Sequence, residues 1–251
     1  MALQYIDRRD YNVVVVGAAS GIGLQAARFL SGQGVRIAAL DRNKEGADAT
    51  AKELGGKSVA RAVDVADWNA VQSTIDGIAR EFGVIDALVN CAGITGKTNI
   101  PTHEVDIDDF DAVYRINLKG AFLLSKAVIP HMLAKKYGRI LHVASIAGKE
   151  GNAGMAAYSS TKAGLIGLVK TLGKDYAETG ITVNGLAPAV IRTPMVAALP
   201  QATIDYMTAK IPMQRCGELQ EAAELIGWIV SPACSFTTGF TFDLTGGRAV
   251  Y

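Results

Sequence analysis

The chain has 251 residues, of which 49% are hydrophobic and 20% are charged, and its formal net charge is +1. This length is enough for one large α/β domain with a sizeable core, or for two small domains. A nearly neutral chain gives no reason to expect nucleic acid or an anionic membrane as a partner. No run of about 18 apolar residues predicts a membrane span.

Three cysteines, Cys91, Cys216 and Cys234, are widely spaced and form neither a CxxC pair nor a cluster that could bind a metal. The first eleven residues become charged soon after the start and lack the apolar region of a signal peptide. These features predict a protein of the reducing cytosol, without disulfides and without a metal.

Short apolar runs alternate along the chain with longer amphipathic stretches. In chain order, this pattern predicts strands at residues 12–17, 35–41, 58–63, 85–90, 139–144, 181–186 and 241–244. Helices are predicted at residues 22–33, 44–54, 68–82, 106–136, 157–178 and 219–230. The segment 192–215 is punctuated by prolines and is predicted to be irregular.

The regular alternation of strands and helices predicts one doubly wound α/β domain over residues 1–251, with a parallel sheet covered by helices on both faces. In an open sheet of this kind, ligands bind beyond the carboxyl ends of the strands. The residues at these ends are therefore the first candidates for function: Gly17, Asp41, Asp64, Asn90, Ser145 and Pro188.

A glycine-rich turn, GAASGIG at residues 17–23, follows the first strand. Glycines let the backbone turn tightly and approach a pyrophosphate, and the N-terminus of the next helix offers free N–H groups to it. The spacing is GxxxGxG rather than the commoner GxGxxG, but the strand–turn–helix context predicts a dinucleotide site. The candidate contacts are Gly17, Ser20, Gly21, Ile22 and Gly23.

Asp41 ends the second strand, 18 residues beyond Gly23. A carboxylate at this position accepts hydrogen bonds from the ribose hydroxyls of an adenosine and repels a 2′-phosphate, which favours NAD over NADP. Arg42 complicates this preference, because a guanidinium beside the site can bind a 2′-phosphate. Asp64 and Val65 close the third strand, where the Asp64 side chain either bonds to the adenine edge or caps the next helix.

The fourth strand ends in the NCAG run at residues 90–93. Its small residues would let the backbone lie against a cofactor, or they simply form a tight turn. Asn90, Ala92 and Gly93 are the candidate contacts here, and Cys91 is interpreted as a small buried filler rather than a nucleophile.

Tyr158 and Lys162 lie four residues apart at the start of a predicted helix, so they share one helix face. An adjacent cation stabilises a phenolate, and it is expected to lower the pKa of Tyr158 from about 10 toward neutrality. Tyr158 is thus a candidate general acid and base. A tyrosine–lysine pair at this spacing also occurs on ordinary solvated helix faces.

Two further polar residues complete the candidate catalytic group. Ser145 lies 13 residues before Tyr158 at a strand end, where its hydroxyl can bind the substrate oxygen or its own backbone. Asn117 lies inside the long predicted helix, where asparagine is a poor helix former. It either anchors a water that leads from Lys162 to solvent or is a satisfied buried amide.

In this order and at these spacings, the residues resemble the short-chain dehydrogenase/reductase family. The resemblance extends over nearly the whole chain and includes YSSTK at residues 158–162 and VNGLAPAVIRTPM at residues 183–195. It implies a Rossmann-type sheet of order 3-2-1-4-5-6-7, usually in a homotetramer, and an oxidoreductase that transfers a hydride between a secondary alcohol or ketone and a nicotinamide. It further implies a catalytic tetrad composed of Asn117, Ser145, Tyr158 and Lys162.

The same resemblance assigns parts of the cofactor site. Tyr158 and Lys162 would contact the cofactor, with the lysine binding the nicotinamide ribose, and Val190 and Thr193 would bind the carboxamide beyond Pro188. The chain departs from the family pattern at Val16, where a threonine is usual, and at Ala189, where a glycine is usual. Val16 is expected to lose a hydrogen bond to the glycine turn, which loosens the turn but leaves its glycines intact. The methyl group of Ala189 is expected to narrow the space near the nicotinamide with only a local adjustment.

The substrate pocket is predicted to be lined by residues 146–155, 189–195 and 196–211, with a mobile lid around residues 190–215. The polar run at 148–152 favours a hydroxylated or anionic substrate over a steroid or a long acyl chain. Lys149 and Arg192 are candidate partners of a carboxylate, or else solvated loop charges. The candidate substrate contacts are Ile146, Lys149, Asn152, Met155, Arg192 and Met195.

The C-terminal tail and the run SIAGKEGN at residues 145–152 are similar to the sugar-acid branch of the family, which includes the 2-keto-3-deoxy-L-sugar-acid (L-fuconate or L-rhamnonate) 4-dehydrogenases. In such tetramers a C-terminal tail can reach a neighbouring subunit's site. Arg248 and Tyr251 are therefore candidates for substrate contact in trans, or for packing at a subunit interface.

Three functions are compatible with these features. The leading one is an NAD-dependent dehydrogenase that oxidises a hydroxyl of a sugar acid or polyol. The second is a 3-oxoacyl-carrier-protein reductase, which would favour NADPH and a basic docking patch; Asp41 and the near-neutral charge argue against it. The third is a non-catalytic dinucleotide-binding regulator, which the intact tetrad disfavours.

Overall fold

The computed structural model of the chain describes residue 6, residues 10–198 and residues 200–249. The strands in these ranges are β1 (Asn12–Val16), β2 (Arg36–Asp41), β3 (Val59–Ala62), β4 (Ala87–Asn90), β5 (Gly138–Val143), β6 (Ile181–Pro188) and β7 (Thr241–Leu244). All seven are parallel and form one sheet of order β3-β2-β1-β4-β5-β6-β7. The predicted doubly wound α/β fold is confirmed.

The helices cover both faces of this sheet. They are α1 (Gly21–Gly32), α2 (Lys44–Leu54), α3 (Trp68–Phe82), α4 (Ile107–Tyr114), α5 (Gly120–Lys135), α6 (Ala147–Glu150), α7 (Ala156–Asp175), α8 (Pro194–Ala197), α9 (Gln201–Thr208) and α10 (Leu219–Ile229). Within the described ranges, no helix is both long and apolar enough to cross a membrane.

An interior strand of the sheet is β1, whose sequence NVVVV is buried at every position. Such a run is typical of a strand that is covered on both faces. Val16 at its end lies beside Leu40 on β2 and beside Asn90 on β4. Because neighbouring parallel strands end at the same level, Gly17 and Asp41 come together at the carboxyl edge of the sheet.

Two apolar clusters fix the sheet from its two sides. One includes Ile75 of α3 and Leu124 of α5, and the other includes Leu30 of α1 and Ile226 of α10. Full burial of an aliphatic side chain contributes about 1.5–3 kcal/mol. The carboxyl edge that positions the site is therefore supported by a packed core on both faces.

The helix predicted over residues 106–136 is unbroken but changes type in its middle. Asp106 caps it by accepting a hydrogen bond from the N–H of Asp108 at 3.0 Å. Between α4 and α5 the residues Arg115–Lys119 form a π turn, which places Asn117 at its centre. Such turns are rare and are frequently found at functional sites.

The prediction of an irregular segment over residues 192–215 is wrong, because α8 and α9 lie within it. Pro194 is the first residue of α8, and Pro200 immediately precedes α9. Proline is favoured at a helix start, where its missing N–H would have no helical partner. The prolines thus begin helices here. Whether the segment 190–215 moves as a lid stays a prediction.

Candidate active site

The glycine turn between β1 and α1 is closely packed at Gly17 and Gly23, where a side chain would crowd or overlap backbone atoms. The N–H groups of Gly17 and Ala18 both donate to the carbonyl of Leu40, at 2.8 and 3.1 Å. A Cβ on Gly23 would overlap the carbonyl oxygen of Gly17, and a Cβ on Gly17 would lie 3.0 Å from the backbone nitrogen of Ala92. Gly17 has φ +79°, which also favours glycine.

This turn fits a pyrophosphate. Ser20 is the N-cap of α1, and its side chain makes no capping hydrogen bond to the described residues. The N–H groups of the first helical turn are therefore not satisfied by that side chain, and they face the same way as the positive end of the helix dipole. Ile22 is the second residue of that turn. A nicotinamide dinucleotide bound here would place its phosphates at Ser20, Gly21 and Ile22.

Asp41 is oriented by the glycine turn itself. Its Oδ2 accepts from the N–H of Ala19 at 3.0 Å, and its Oδ1 accepts from the N–H of Asn43 at 2.9 Å. Each oxygen keeps a further lone pair for a ribose hydroxyl. The adjacent Arg42 is exposed. The structure therefore places a fixed carboxylate at this strand end, beside a guanidinium at the surface.

Asp64 and Val65, which follow β3, make contacts of a different kind from those of Asp41. Asp64 accepts from the N–H of Ala66 at 2.9 Å and so shapes its own turn. The alternative that Asp64 caps the next helix is wrong, because Asp67 is the N-cap of α3. Val65 is buried, and a Cβ added to Gly120 would lie 2.8 Å from its Cγ2. The backbone at this turn still borders the carboxyl edge.

The NCAG turn lies between the glycine turn and the catalytic residues. Asn90 is buried, and its Oδ1 accepts from the N–H of Ala92 at 3.1 Å. A Cβ on Gly93 would lie 3.3 Å from Lys162 Nζ and 3.2 Å from Asn117 Oδ1. The absence of a side chain at Gly93 thus keeps the space between the cofactor edge and the lysine open.

Cys91, in the same turn, has surroundings that disfavour a nucleophilic thiolate. Although the residue is partly exposed, burial of the thiol raises its pKa to about 12, against a smaller lowering by the Lys162 ammonium. A thiol with this pKa is protonated at neutral pH.

Lys162 is a buried cation at the centre of the site. Its Nζ donates to the carbonyl of Val143 at 2.7 Å, and it lies 5.7 Å from the centre of the Tyr158 ring. Burial lowers the pKa of Lys162 to about 8. An ammonium with a pKa so close to neutrality can exchange its proton more readily than an ordinary lysine.

Tyr158 and Ser145 are hydrogen-bonded through their side chains. Burial raises the pKa of Tyr158 above its ordinary value, and the bond with Ser145 lowers it by less. The expected lowering by Lys162 is therefore wrong, because burial dominates the pKa of Tyr158 and the Lys162 ammonium donates to the Val143 carbonyl instead. Ser145 Oγ also accepts from the N–H of Ala147 at 3.1 Å, which orients the hydroxyl.

Asn117 joins the loop after β4 to the catalytic helix α7. Its Oδ1 accepts from the N–H of Ile94 at 2.8 Å, and its Nδ2 donates to the Ile94 carbonyl at 2.9 Å and to Thr161 Oγ1 at 3.3 Å. The side chain is buried with its amide satisfied. The π turn shifts the backbone hydrogen bonds around it. All four members of the tetrad lie around Gly93 and the end of β5.

The candidate substrate residues are placed along one rim of this site. Ile146 is buried beneath it. The N–H of Asn152 donates to Ser159 Oγ at 3.1 Å, and its carbonyl accepts from the N–H of Met155 at 3.2 Å. Its Nδ2 lies 3.9 Å from Met155 Sδ. These contacts keep the polar loop after α6 close to the start of α7.

Both candidate partners of a carboxylate form ion pairs within the chain. Lys149 pairs with Asp243 at 2.8 Å, and Arg192 pairs with Glu218 at 3.2 Å. The side chain of Met195 and the whole of Tyr251 lie outside the described residues.

Beyond the predicted cofactor turn, Pro188 is the last residue of β6, and Val190 and Thr193 follow that strand. The Val190 carbonyl accepts from the N–H of Gly217 at 2.9 Å. Thr193 caps α8, and its Cγ2 lies 3.8 Å from the place of a Cβ on Gly21. The segment after β6 thus faces the glycine turn, as a site for an extended dinucleotide requires.

Two features of the site were missed by sequence reasoning. The loop after β4 forms part of the rim, since Ile100 donates its N–H to the Gly154 carbonyl at 3.4 Å, and a Cβ on Gly154 would lie 2.8 Å from Asn99 Cα. His142 on β5 is buried against Asn90. The sequence did contain one sign of this loop, because no helix or strand is predicted for a long stretch after residue 93.

A cavity of about 430 Å³ lies beside the C-terminal segment. It borders Ala189, Arg215, Asp243 and Thr245, but none of the tetrad. It is therefore not the site of the chemistry, which the tetrad and the glycine turn mark more directly. Among the described residues, no group of three or more histidine, cysteine or acidic side chains could bind a metal ion.

A glycine turn at a helix start, a carboxylate at the next strand end and a tyrosine–serine–lysine group define a nicotinamide-dependent oxidoreductase acting on CH–OH groups. The chain belongs to the short-chain dehydrogenase family, whose model matches residues 11–203. The predicted family and the prediction of an enzyme are thereby confirmed.

Individual relatives agree over nearly the whole chain. A 2-dehydro-3-deoxy-L-rhamnonate dehydrogenase (NAD(+)) from Sphingomonas sp. (strain SKA58) is 43% identical over 238 residues, which cover 95% of each chain. The 3-oxoacyl-(acyl-carrier-protein) reductase FabG of Escherichia coli (strain K12) is 36% identical, covering 93% of this chain and 95% of the relative. The crystal structure of gox2181 superposes with a TM-score of 0.92 at 28% identity, covering 97% of each chain.

Proposed function

We propose that the chain oxidises a hydroxyl group of a sugar acid with NAD⁺ as the hydride acceptor, as a 2-keto-3-deoxy-L-sugar-acid 4-dehydrogenase does. The observation that most favours this substrate class is the 43% identity, over 95% of each chain, to a relative named for a 2-dehydro-3-deoxy-L-rhamnonate and NAD⁺. The reaction class is set by the family and the tetrad.

The proton transfer is assigned to Tyr158 and Ser145. The hydrogen-bonded pair of hydroxyls binds the substrate oxygen, and Tyr158 accepts the proton of the reacting hydroxyl as the carbon–oxygen bond becomes a carbonyl. The hydrogen on the same carbon leaves as a hydride. When bound, the dinucleotide supplies the acceptor of that hydride and a positively charged ring.

Lys162 and Asn117 support this transfer without contacting the reacting carbon. Because burial raises the pKa of the Tyr158 phenol even with Lys162 beside it, further positive charge is needed to form the phenolate. Bound NAD⁺ would supply that charge, and the buried Lys162 ammonium would add its own attraction once the phenolate forms. Asn117 fixes the loop at Ile94 relative to α7, which keeps the lysine and the NCAG turn in register.

The preference for NAD⁺ is inferred from Asp41. Its carboxylate is oriented by the N–H groups of Ala19 and Asn43, so a 2′-phosphate would meet a fixed negative charge. Arg42 at the surface offers a partial counter-charge, and some use of NADP⁺ is compatible with it.

The test is a turnover assay of the full chain with 2-keto-3-deoxy-L-sugar acids, polyols and 3-oxoacyl thioesters, each with both cofactors. We expect oxidation of a sugar acid with NAD⁺. The relatives named 3-oxoacyl-(acyl-carrier-protein) reductase, 35–38% identical, make that reaction the second candidate. Thioester reduction with NADPH, together with inactivity on every acid and polyol, would replace the proposal by this reductase.

Four features stay predictions. They are a cytosolic location, a homotetramer, a small-molecule substrate without a nucleic-acid or membrane partner, and a C-terminal tail that reaches a neighbouring site. Chromatography with light scattering tests the tetramer directly. In the described residues, Arg248 is paired with Glu150 of its own chain at 2.6 Å, so a role in trans would have to coexist with that pair.

A further inference from the structure

A buried histidine lies directly beneath the NCAG turn. His142 on β5 is the neighbour of Asn90 on β4, and its side chain has no exposed surface. Its Nδ1 lies 3.1 Å from Asn90 Nδ2, and its Nε2 lies 2.9 Å from Ser125 Oγ on α5. Three buried polar side chains therefore form a continuous chain from the end of β4 to a helix.

The remaining hydrogen bonds of its two partners determine the protonation of the ring. Asn90 Oδ1 accepts from the N–H of Ala92, so the amide nitrogen faces His142 and can only donate. The Ser125 hydroxyl donates its single proton to the Ala121 carbonyl at 2.9 Å, so its oxygen must accept from the ring. His142 is thus neutral, with its proton on Nε2.

The surroundings of the ring favour the same state. Burial, reinforced by the positive charge of Lys162, lowers the pKa of His142 to about 3. In a protonated ring, Nδ1–H and the amide N–H of Asn90 would be two donors facing each other with no acceptor between them. Turning the amide over would relieve this conflict only by breaking the bond to Ala92.

The turn that this chain of bonds orients has little room to move. A Cβ on Gly17 would lie 3.0 Å from the Ala92 nitrogen, so the backbone of the NCAG turn is in close contact with the glycine turn. On its other side, Gly93 borders Lys162 Nζ. A displaced Ala92 would therefore alter the surface on which the dinucleotide lies and its distance to the lysine.

We propose that His142 is a positioning residue for the dinucleotide: as a neutral acceptor it fixes the amide of Asn90 and, through it, the NCAG turn. It contacts neither cofactor nor substrate. The inference rests on the proposed function only in requiring a dinucleotide at the carboxyl edge, and it is independent of which alcohol is oxidised.

Two amide variants distinguish the hydrogen bond between His142 and Asn90 from the hydrogen bond between His142 and Ser125. In His142→Asn, the amide oxygen occupies the place of Nδ1 and can still accept from Asn90. In His142→Gln, the amide nitrogen occupies the place of Nε2 and can still donate to Ser125, but the acceptor for Asn90 is lost. Ser125→Ala is the matched control, because it removes only the hydrogen bond between the ring and α5 and leaves the bond between His142 and Asn90 in place.

The measurement is the Kd of the full-length chain for NAD⁺, or for NADP⁺ if the wild type prefers it, by titration calorimetry, alongside thermal unfolding. We expect His142→Gln to raise the Kd roughly fivefold to tenfold, the effect of one lost buried hydrogen bond, with a similar rise in KM for the dinucleotide and little change in kcat. His142→Asn and Ser125→Ala should stay within about twofold of wild type while lowering Tm.

A wild-type Kd in His142→Gln would overturn the proposal, as would a Kd that rises in all three variants in proportion to their loss of stability. The second result would make His142 a structural residue alone. Because binding is measured without substrate, failure of the sugar-acid assay leaves this test intact.

Discussion

Arg248 forms a bidentate ion pair with Glu150, in which Nη2 and Nε of the guanidinium lie 2.6 and 3.2 Å from the two carboxylate oxygens. Next to it, Lys149 pairs with Asp243. Two consecutive residues of α6, the turn that follows Ser145, are thereby bonded to the C-terminal segment. The rim of the active site is thus fixed from a part of the chain about 98 residues away.

Disrupting this pair should loosen α6. We expect Arg248→Met to lower the free energy of unfolding by about 1–2 kcal/mol, because charge-assisted bonds of a largely buried arginine are lost, and to raise KM for the substrate severalfold. Glu150→Gln should have a similar effect, and the double variant should be no worse than either. Additive losses in KM would instead indicate that Arg248 contacts substrate separately from Glu150.

Tyr158→Phe should abolish turnover while the dinucleotide still binds. The variant keeps the ring and removes only the hydroxyl that bonds to Ser145 and exchanges the proton. Loss of a general acid–base group lowers kcat by about 10²–10⁴-fold. The measurement is steady-state kinetics beside a binding titration, and substantial retained turnover would remove Tyr158 from the mechanism.

Asp41→Asn should shift the cofactor preference. The amide keeps the shape of the side chain but removes the charge that opposes a 2′-phosphate, so we expect the ratio of kcat/KM for NADP⁺ to that for NAD⁺ to rise roughly tenfold or more. Adding Arg42→Ala should reverse part of this gain. An unchanged ratio in Asp41→Asn would show that the carboxylate does not select the cofactor.

Gly23→Ala should destabilise the chain and prevent dinucleotide binding, because the new methyl group would overlap the Gly17 carbonyl. We expect a loss on the order of 2–3 kcal/mol. Gly32→Ala, in the same helix with nothing within 4 Å, is the control and should be neutral or stabilise by up to about 1 kcal/mol. Urea unfolding of both variants checks the contrast.

His142 should make stability fall in mild acid. Its folded-state pKa is about 3 and the ordinary pKa of histidine is 6.5, so as the pH falls through 6.5 the unfolded chain gains a proton that the folded chain does not. The free energy of unfolding should therefore decrease by about 2 kcal/mol between about pH 7 and about pH 5 from this residue alone. His142→Asn should lack this component in urea titrations at the two pH values; an identical pH dependence would contradict it.

The positions of Gly17, Asp41 and Ser145 at one edge could be predicted from the sequence. Each follows an apolar run of strand length, and parallel strands bring their carboxyl ends together. The proximity of Tyr158 and Lys162 could also be predicted, because helical spacing alone places them on one face. The local periodicity of the sequence is enough to predict where such residues lie.

Other features depend on pairings that no local pattern contains. Lys149 and Arg192 looked like free cations, but their partners Asp243 and Glu218 lie 94 and 26 residues further along the chain. The raised pKa of Tyr158 follows from how deeply its hydroxyl is packed, which spacing does not report. Helices α8 and α9 were missed because prolines were interpreted as interruptions rather than as starts.

The π turn at Arg115–Lys119 makes the orientation of the active-site residue Asn117 depend on that of the core residues further along the same helix. An α-helix rotates by about 100° for each residue, so deleting one residue here would restore regular winding but swing everything on one side of the deletion by that angle. Either Asn117 would turn away from Ile94, or Leu124 would leave the apolar cluster beneath the sheet. A substitution on this helix therefore alters one side chain, whereas deletion of a single residue would disrupt either the site or the core.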